Sequence, residues 1–101
     1  MDRRILARAR PLDAIVWDEG VHRVDVIKID VEGAEMLVLR GAGRTLDQFH
    51  PVVIVELIEA QLRSMGTSVA EVRAFFAAHG YAPRPQIDNN VVFAWAGGGA
   101  L

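Results

Sequence analysis

Ile27-Lys28-Ile29-Asp30-Val31-Glu32-Gly33-Ala34-Glu35 reads as an apolar strand that ends in three carboxylates wrapped around a glycine. Strands buried on both faces of a parallel sheet carry near-continuous Val/Ile runs. Residues 24–30 are therefore expected to form such a strand, with the Lys28 stem packed and its ammonium on a carboxylate or water. In open α/β sheets, ligands sit outside the carboxyl ends of the strands. Acidic side chains released there are placed to act as a base or a metal ligand. Gly33 permits a turn that a residue with a β-carbon resists.

Working outward, residues 11–17 suggest a short helix or turn ahead of this strand. After it, residues 34–39 are helix-like, and Leu39, Ala42, Leu46 and Phe49 continue an apolar stripe. Gly41 and Gly43 weaken its middle, which favours two short helices, and Pro51 closes it. Residues 52–56 are a second strand, apolar until it too ends on a carboxylate, Glu56. Ser68 with Glu71 forms a capping box ahead of a helix whose apolar face is Val69, Val72 and Phe76, and Gly80 stops it. Residues 81–84 form a short strand that Pro83 and Pro85 place at an edge. Asn89-Asn90 supply the turn into a last strand, 91–95. Strand, helix, strand, helix and two turn-linked strands define an α/β fold, a parallel βαβ core finished by an antiparallel hairpin. Residues 1–101 make a single domain. Nothing in the sequence covers the outer edge of the first strand, an exposure that calls for another chain or for residues upstream of Met1.

Composition limits the partners. With 101 residues, 24% of them charged, and a net charge of −2, the chain is not matched to nucleic acid or an anionic membrane. Cysteine is absent, so no disulfide or thiolate chemistry is available, as suits a cytoplasmic protein. Residues 1–10 carry four arginines with no apolar run behind them, so neither a secretory leader nor a membrane span is read. The segment reads as a solvated basic lead-in, and Gly97-Gly98-Gly99 as a frayed tail.

Asp30 and Glu56 end the two central strands. If those strands are neighbours, their backbones lie about 4.8 Å apart. Two carboxylates sharing one crevice raise one pKa and create a usable general base. The competing reading has Asp30 capping the next helix and Glu56 paired with a basic side chain. Glu32, beside the turn, is a functional candidate, although a helix amino terminus also favours its charge; Glu35 is read as structural. His22, His50 and His79 lack metal-ligand spacing, and Trp17 and Trp95 are read as packing residues. Gly41-Ala42-Gly43 follows a helix rather than a strand and lacks the third glycine of a nucleotide fingerprint.

The nine-residue stretch, followed by Leu39-Arg40-Gly41-Ala42 and Val53-Ile54-Val55-Glu56 and preceded by Leu12-Asp13, resembles the FkbM methyltransferase family over residues 11–95. The resemblance implies a Rossmann-like methyltransferase sheet and S-adenosylmethionine-dependent O-methylation of a small molecule, sugar or lipid. It also implies that Asp30 and Glu32 border the transfer site. The family's opening strand, its glycine-rich cofactor turn and the acidic residue for the ribose have no counterpart here. The likeness is thus to the C-terminal half alone, in a domain lacking its cofactor-binding half. S-adenosylmethionine belongs to the complete enzyme, and tight binding by this chain alone is not expected. The expected state is a homodimer or a complex with the missing N-terminal half. The alternatives are a non-catalytic interaction module and one half of a split enzyme.

Overall fold

The computed structural model describes residues 10–97. Its order is α1 (Leu12–Asp18), β1 (Val26–Ile29), α2 (Glu35–Arg40), α3 (Gly43–Phe49), β2 (Val52–Glu56), α4 (Glu59–Ser64), α5 (Val69–Ala78), β3 (Tyr81–Pro83) and β4 (Asn90–Trp95). The four strands form one mixed sheet in the order β1-β2-β4-β3. β1 and β2 are parallel, with Ile29 opposite Val55, while β4 runs antiparallel to both β2 and β3. The expected parallel core and antiparallel terminal pair are both present, and β4 lies between β2 and β3. The basic lead-in at residues 1–9 and the tail from Gly98 onward lie outside the described residues.

The stripe at Leu39, Ala42 and Leu46 folds as two helices, because the chain breaks at Gly41-Ala42 before α3 begins. Ser68 caps α5 as expected, its Oγ accepting from the Glu71 amide at 3.1 Å. The returning half of the box is not made; the Glu71 carboxylate accepts from the Thr67 hydroxyl instead. α4 has no counterpart in the sequence expectation, since Leu62 is its single buried residue and a lone apolar position has no period. The turn before β4 falls at Asp88-Asn89 rather than Asn89-Asn90. Ile87 bridges Asn90, and Asp88 takes φ 54°, a left-handed conformation that Asp tolerates.

One face of the sheet carries the core. Ile29, Val53, Val55, Val91 and Phe93 cluster with Met36, Leu39, Leu46, Leu62, Val72 and Phe76 from the helices. The Phe76 and Phe93 rings stack at 3.9 Å, and the Tyr81 hydroxyl donates to the Pro51 carbonyl at 2.7 Å. Burial, and then the Asp47 charge, push the Tyr81 hydroxyl up to about 12, so it remains a donor. The alternate strand residues point the other way and are only partly buried or exposed. Val26 is 59% exposed, Val52 38%, and Lys28 is exposed between them. This corrects the expectation of strands buried on both faces. All the helical residues of the core pack against the Ile29 face, and a strand's two faces alternate residue by residue.

Asp13 fastens α1 to the rest. α3 has Ala42 at its N-cap, with no side chain to cap it. Asp13 supplies the missing acceptor from 32 residues away, taking the Thr45 amide at 2.8 Å, the Thr45 hydroxyl at 2.6 Å and the Arg44 amide at 3.0 Å. Its own amide donates to the Gly41 carbonyl at 2.9 Å. Partial burial pushes the Asp13 carboxyl up, but the Thr45 and Arg44 hydrogen bonds and the Arg44 charge prevail and hold it below the ordinary carboxylate value. Loss of an N-cap acceptor costs about 0.5–2 kcal/mol, so Asp13→Ala should lower stability by that order in urea denaturation at neutral pH. A carboxyl depressed in the native state stabilises fully above the unfolded value, about 3.9, and ceases to do so as pH falls through the native value. The gap between wild type and Asp13→Ala should therefore narrow on acidification below about pH 4.

Candidate functional site

β1 ends at Ile29, which is buried, and the next residue, Asp30, emerges into solvent. Glu32 then adopts φ 52° and Gly33 φ 108°. A left-handed glutamate is uncommon and needs support from its surroundings. Glu35 provides it. Its side chain is 1% exposed, its Oε2 accepts the Val31 amide at 3.0 Å, and its Oε1 accepts the Gly33 amide at 2.9 Å. The Ala34 amide closes the turn onto the Val31 carbonyl at 3.2 Å. Glu32 is thus carried between two peptide groups tied to one buried carboxylate. On its other side the turn abuts α4: a β-carbon on Gly33 would lie 2.4 Å from the Gln61 carbonyl oxygen. The structural reading of Glu35 is correct, and its partners are backbone amides.

In the parallel register Asp30 and Glu56 are the residues that follow the Ile29–Val55 pair. Glu56 is half-buried and lies opposite Asn90 of β4. The Leu57 amide donates to the Asn89 carbonyl at 2.8 Å, joining the end of β2 to the hairpin turn. Among the described residues, no side-chain hydrogen bond or ion pair engages the carboxylates of Asp30, Glu32 or Glu56. The helix after β1 has Ala34 at its N-cap, so Asp30 does not cap it. Other acids do have structural duties. Asp13 caps α3, Glu59 Oε1 accepts the Val69 amide at 2.8 Å, and Asp47 lies 2.8 Å from His79 Nδ1. Three acidic groups thus stand at the carboxyl edge of the parallel pair, their carboxylates making no hydrogen bond or ion pair among the described residues.

Gln61, Asn89 and Asn90 border this edge without having been read as site residues in the sequence, where Asn89-Asn90 were read only as a turn. Nothing in their spacing announces them, because α4 and the hairpin reach the edge through tertiary packing. The histidines stay apart. His50 stacks on Trp95 at 3.7 Å, His79 meets Asp47, and His22 lines a separate cavity. No group among the described residues has the three acid, histidine or cysteine side chains a metal ion would need. Trp17 is not the packing residue expected: it is 74% exposed, with the Arg44 guanidinium 5.4 Å from its ring. That pair lines a cavity of about 240 Å³ between α1 and α3. The lining of this cavity includes none of Asp30, Glu32 and Glu56.

The clamp makes a specific prediction. Glu35→Gln keeps one acceptor but turns an amide donor toward a backbone N–H, at a cost of about 1–3 kcal/mol. Gly33→Ala forces the turn away from Gln61 and should destabilise comparably or more. Chemical denaturation with circular dichroism reads both, and wild-type midpoints would remove the clamp from the account.

A family model described as Methyltransferase FkbM domain matches residues 2–83. Among curated proteins, the chain is similar to methyltransferase sdnD of Sordaria araneosa, 35% identical over 69 residues, a match covering 59% of this chain and 27% of that relative. The chain thus spans about a quarter of the length of the curated relative it matches. No solved structure matches it. A mixed α/β sheet ending in an acidic turn, and a family match over most of the sequence, place the chain in the FkbM methyltransferase family.

Proposed function

We propose that this chain is the C-terminal portion of an S-adenosylmethionine-dependent O-methyltransferase with a Rossmann-like sheet. It acts on a hydroxyl of a small molecule, sugar or lipid, with Asp30, Glu32 and Glu56 bordering the transfer crevice. The observation that carries this reading is the set of carboxylates at the ends of β1 and β2 that the fold does not use. At such an edge, Asp30 or Glu56 is placed to accept the proton of an attacking hydroxyl, while Glu32, held by its turn, orients the acceptor. The absence of cysteine suits a reducing cytoplasm, and no helix among the described residues is long and apolar enough to cross a membrane.

The described residues do not make a cradle for the cofactor. Such a cradle needs free backbone amides at a glycine-containing turn after a strand, and a carboxylate for the ribose. The turn after β1 is the one that comes nearest, but Glu35 already occupies its Val31 and Gly33 amides and α4 closes against Gly33. Cofactor contacts must then come from elsewhere, either from the missing N-terminal half or from a second copy. The free edge of β1 also favours a second reading, a non-catalytic half-domain that serves as a dimerisation module or as part of a split enzyme.

Two measurements separate these. Calorimetry on the 101-residue chain should show no micromolar binding of S-adenosylmethionine; such binding by a clean monomer would overturn the partial-domain reading. In the complete enzyme, Asp30→Asn keeps the shape and removes the charge, and turnover should drop about 10²–10⁴-fold with the fold intact. Unchanged turnover would leave Asp30 without a catalytic role.

A further inference from the structure

The cavity between α1 and α3 differs in chemistry from the acidic edge. α1 ends in a turn where Gly20 takes φ 63° and donates to the Trp17 carbonyl at 3.3 Å, while the Val21 amide returns to the Val16 carbonyl at 3.0 Å. That turn brings Val21 and His22 back beside Trp17, in the lining of one cavity. The bonds from Arg44 and Thr45 to Asp13 tie the opposite wall, α3, to α1. Val21 and Phe49, both partly buried, make part of the lining apolar. Its polar groups are one-sided. Arg44, His22 and Gln48 line the cavity, and their side chains make no hydrogen bond or ion pair among the described residues. The single acid in the lining is Asp13, and α3 already engages both of its oxygens. Asp18 of α1 is outside the lining and pairs with Arg10. A guanidinium and further N–H donors thus face the cavity with no free carboxylate beside them.

We propose that this cavity binds a small aromatic carboxylate. The ring of the ligand lies against Trp17, Val21 and Phe49, and its carboxylate accepts from the Arg44 guanidinium. Three observations select this ligand. The Trp17 indole is 74% exposed, a flat apolar surface that a second ring covers by offset or edge-to-face packing. Arg44 stands 5.4 Å from the Trp17 ring centroid, within cation–π range, and a planar guanidinium matches a carboxylate bidentately. A ring seated between them and solvent lowers the local dielectric and strengthens that pair. Size agrees as well. At about 240 Å³ the cavity exceeds the roughly 150 Å³ that admits benzene in an engineered protein, and falls below the roughly 300 Å³ at which drug-sized sites begin. It holds one ring and its acid group. The site shares none of Asp30, Glu32 and Glu56, so it stands apart from the methyl-transfer reading.

Nuclear magnetic resonance on the isotope-labelled 101-residue chain tests this with three probes: benzoate, acetate (charge without ring) and benzyl alcohol (ring without charge). Benzoate at millimolar concentration should shift the Trp17 indole N–H to saturation. The indole N–H of Trp95, which stacks on His50, should not move. Acetate and benzyl alcohol should each bind at least tenfold more weakly than benzoate. Trp17→Ala and Arg44→Gln alter exposed side chains and should each weaken benzoate tenfold or more. Arg73→Gln, an exposed change on α5 outside the lining, should leave its affinity unchanged. Circular dichroism checks the fold of each variant, and if Trp17→Ala unfolds, Arg44→Gln and the three-probe comparison decide. The absence of a saturating shift overturns the proposal. So does acetate or benzyl alcohol binding as well as benzoate, or benzoate affinity indifferent to the Trp17 and Arg44 substitutions.

Discussion

A single buried carboxylate organises the functional end of this molecule. Glu35 opens α2 buried and holds the amides of Val31 and Gly33, so the chain leaves β1 in one defined turn. Burying a charge is unfavourable unless hydrogen bonds replace its hydration. Both oxygens are satisfied by backbone donors, which themselves need acceptors once they are buried. The two requirements solve each other. The position of Asp30, the left-handed Glu32 and the contact of Gly33 with α4 all follow from that exchange.

The acidic residues of the chain accordingly divide by work. Asp13, Glu35 and Glu59 accept backbone amides and hold helices or turns in place. Asp30, Glu32 and Glu56 accept nothing among the described residues and stand at the carboxyl edge of a parallel pair. That edge is where α/β sheets bind ligands, and the proposed role of these acids at an acceptor's proton rests on it. The cavity between α1 and α3 lies elsewhere, its lining including none of Asp30, Glu32 and Glu56.

The sheet is asymmetric in a way that bears on how the chain functions. Its Ile29 face carries the buried core, with stacked Phe76 and Phe93, while its Lys28 face is exposed at Val26, Lys28 and Val52 and the β1 edge has no strand partner among the described residues. A parallel strand with one face and one edge unpartnered is at odds with the rule that parallel sheets are covered on both sides. Among the described residues, the exposed Val26 and Lys28 of this face and the unpaired strand edge all belong to β1.

Much of this was legible in the residues alone. The apolar runs at β1 and β2, the capping serine at α5 and the glycine break between α2 and α3 are local signals, each set by periodicity or by a residue's own conformational limits. They were enough to give the order of the strands, the helices other than α4, the parallel pair and the acidic turn after β1, and the motif was enough to suggest the family. Tertiary structure alone decided the rest, because the deciding partners are distant in sequence. Asp13 caps a helix more than thirty residues away, and Gln61 sets the need for glycine at Gly33. Val26 and Val52 carry the same apolar signature as Val53 and Val55, yet one pair is exposed and the other buried. A strand's sequence shows that a face is suited to burial; whether anything covers it depends on which helices cross the sheet, and that is a property of the assembled chain.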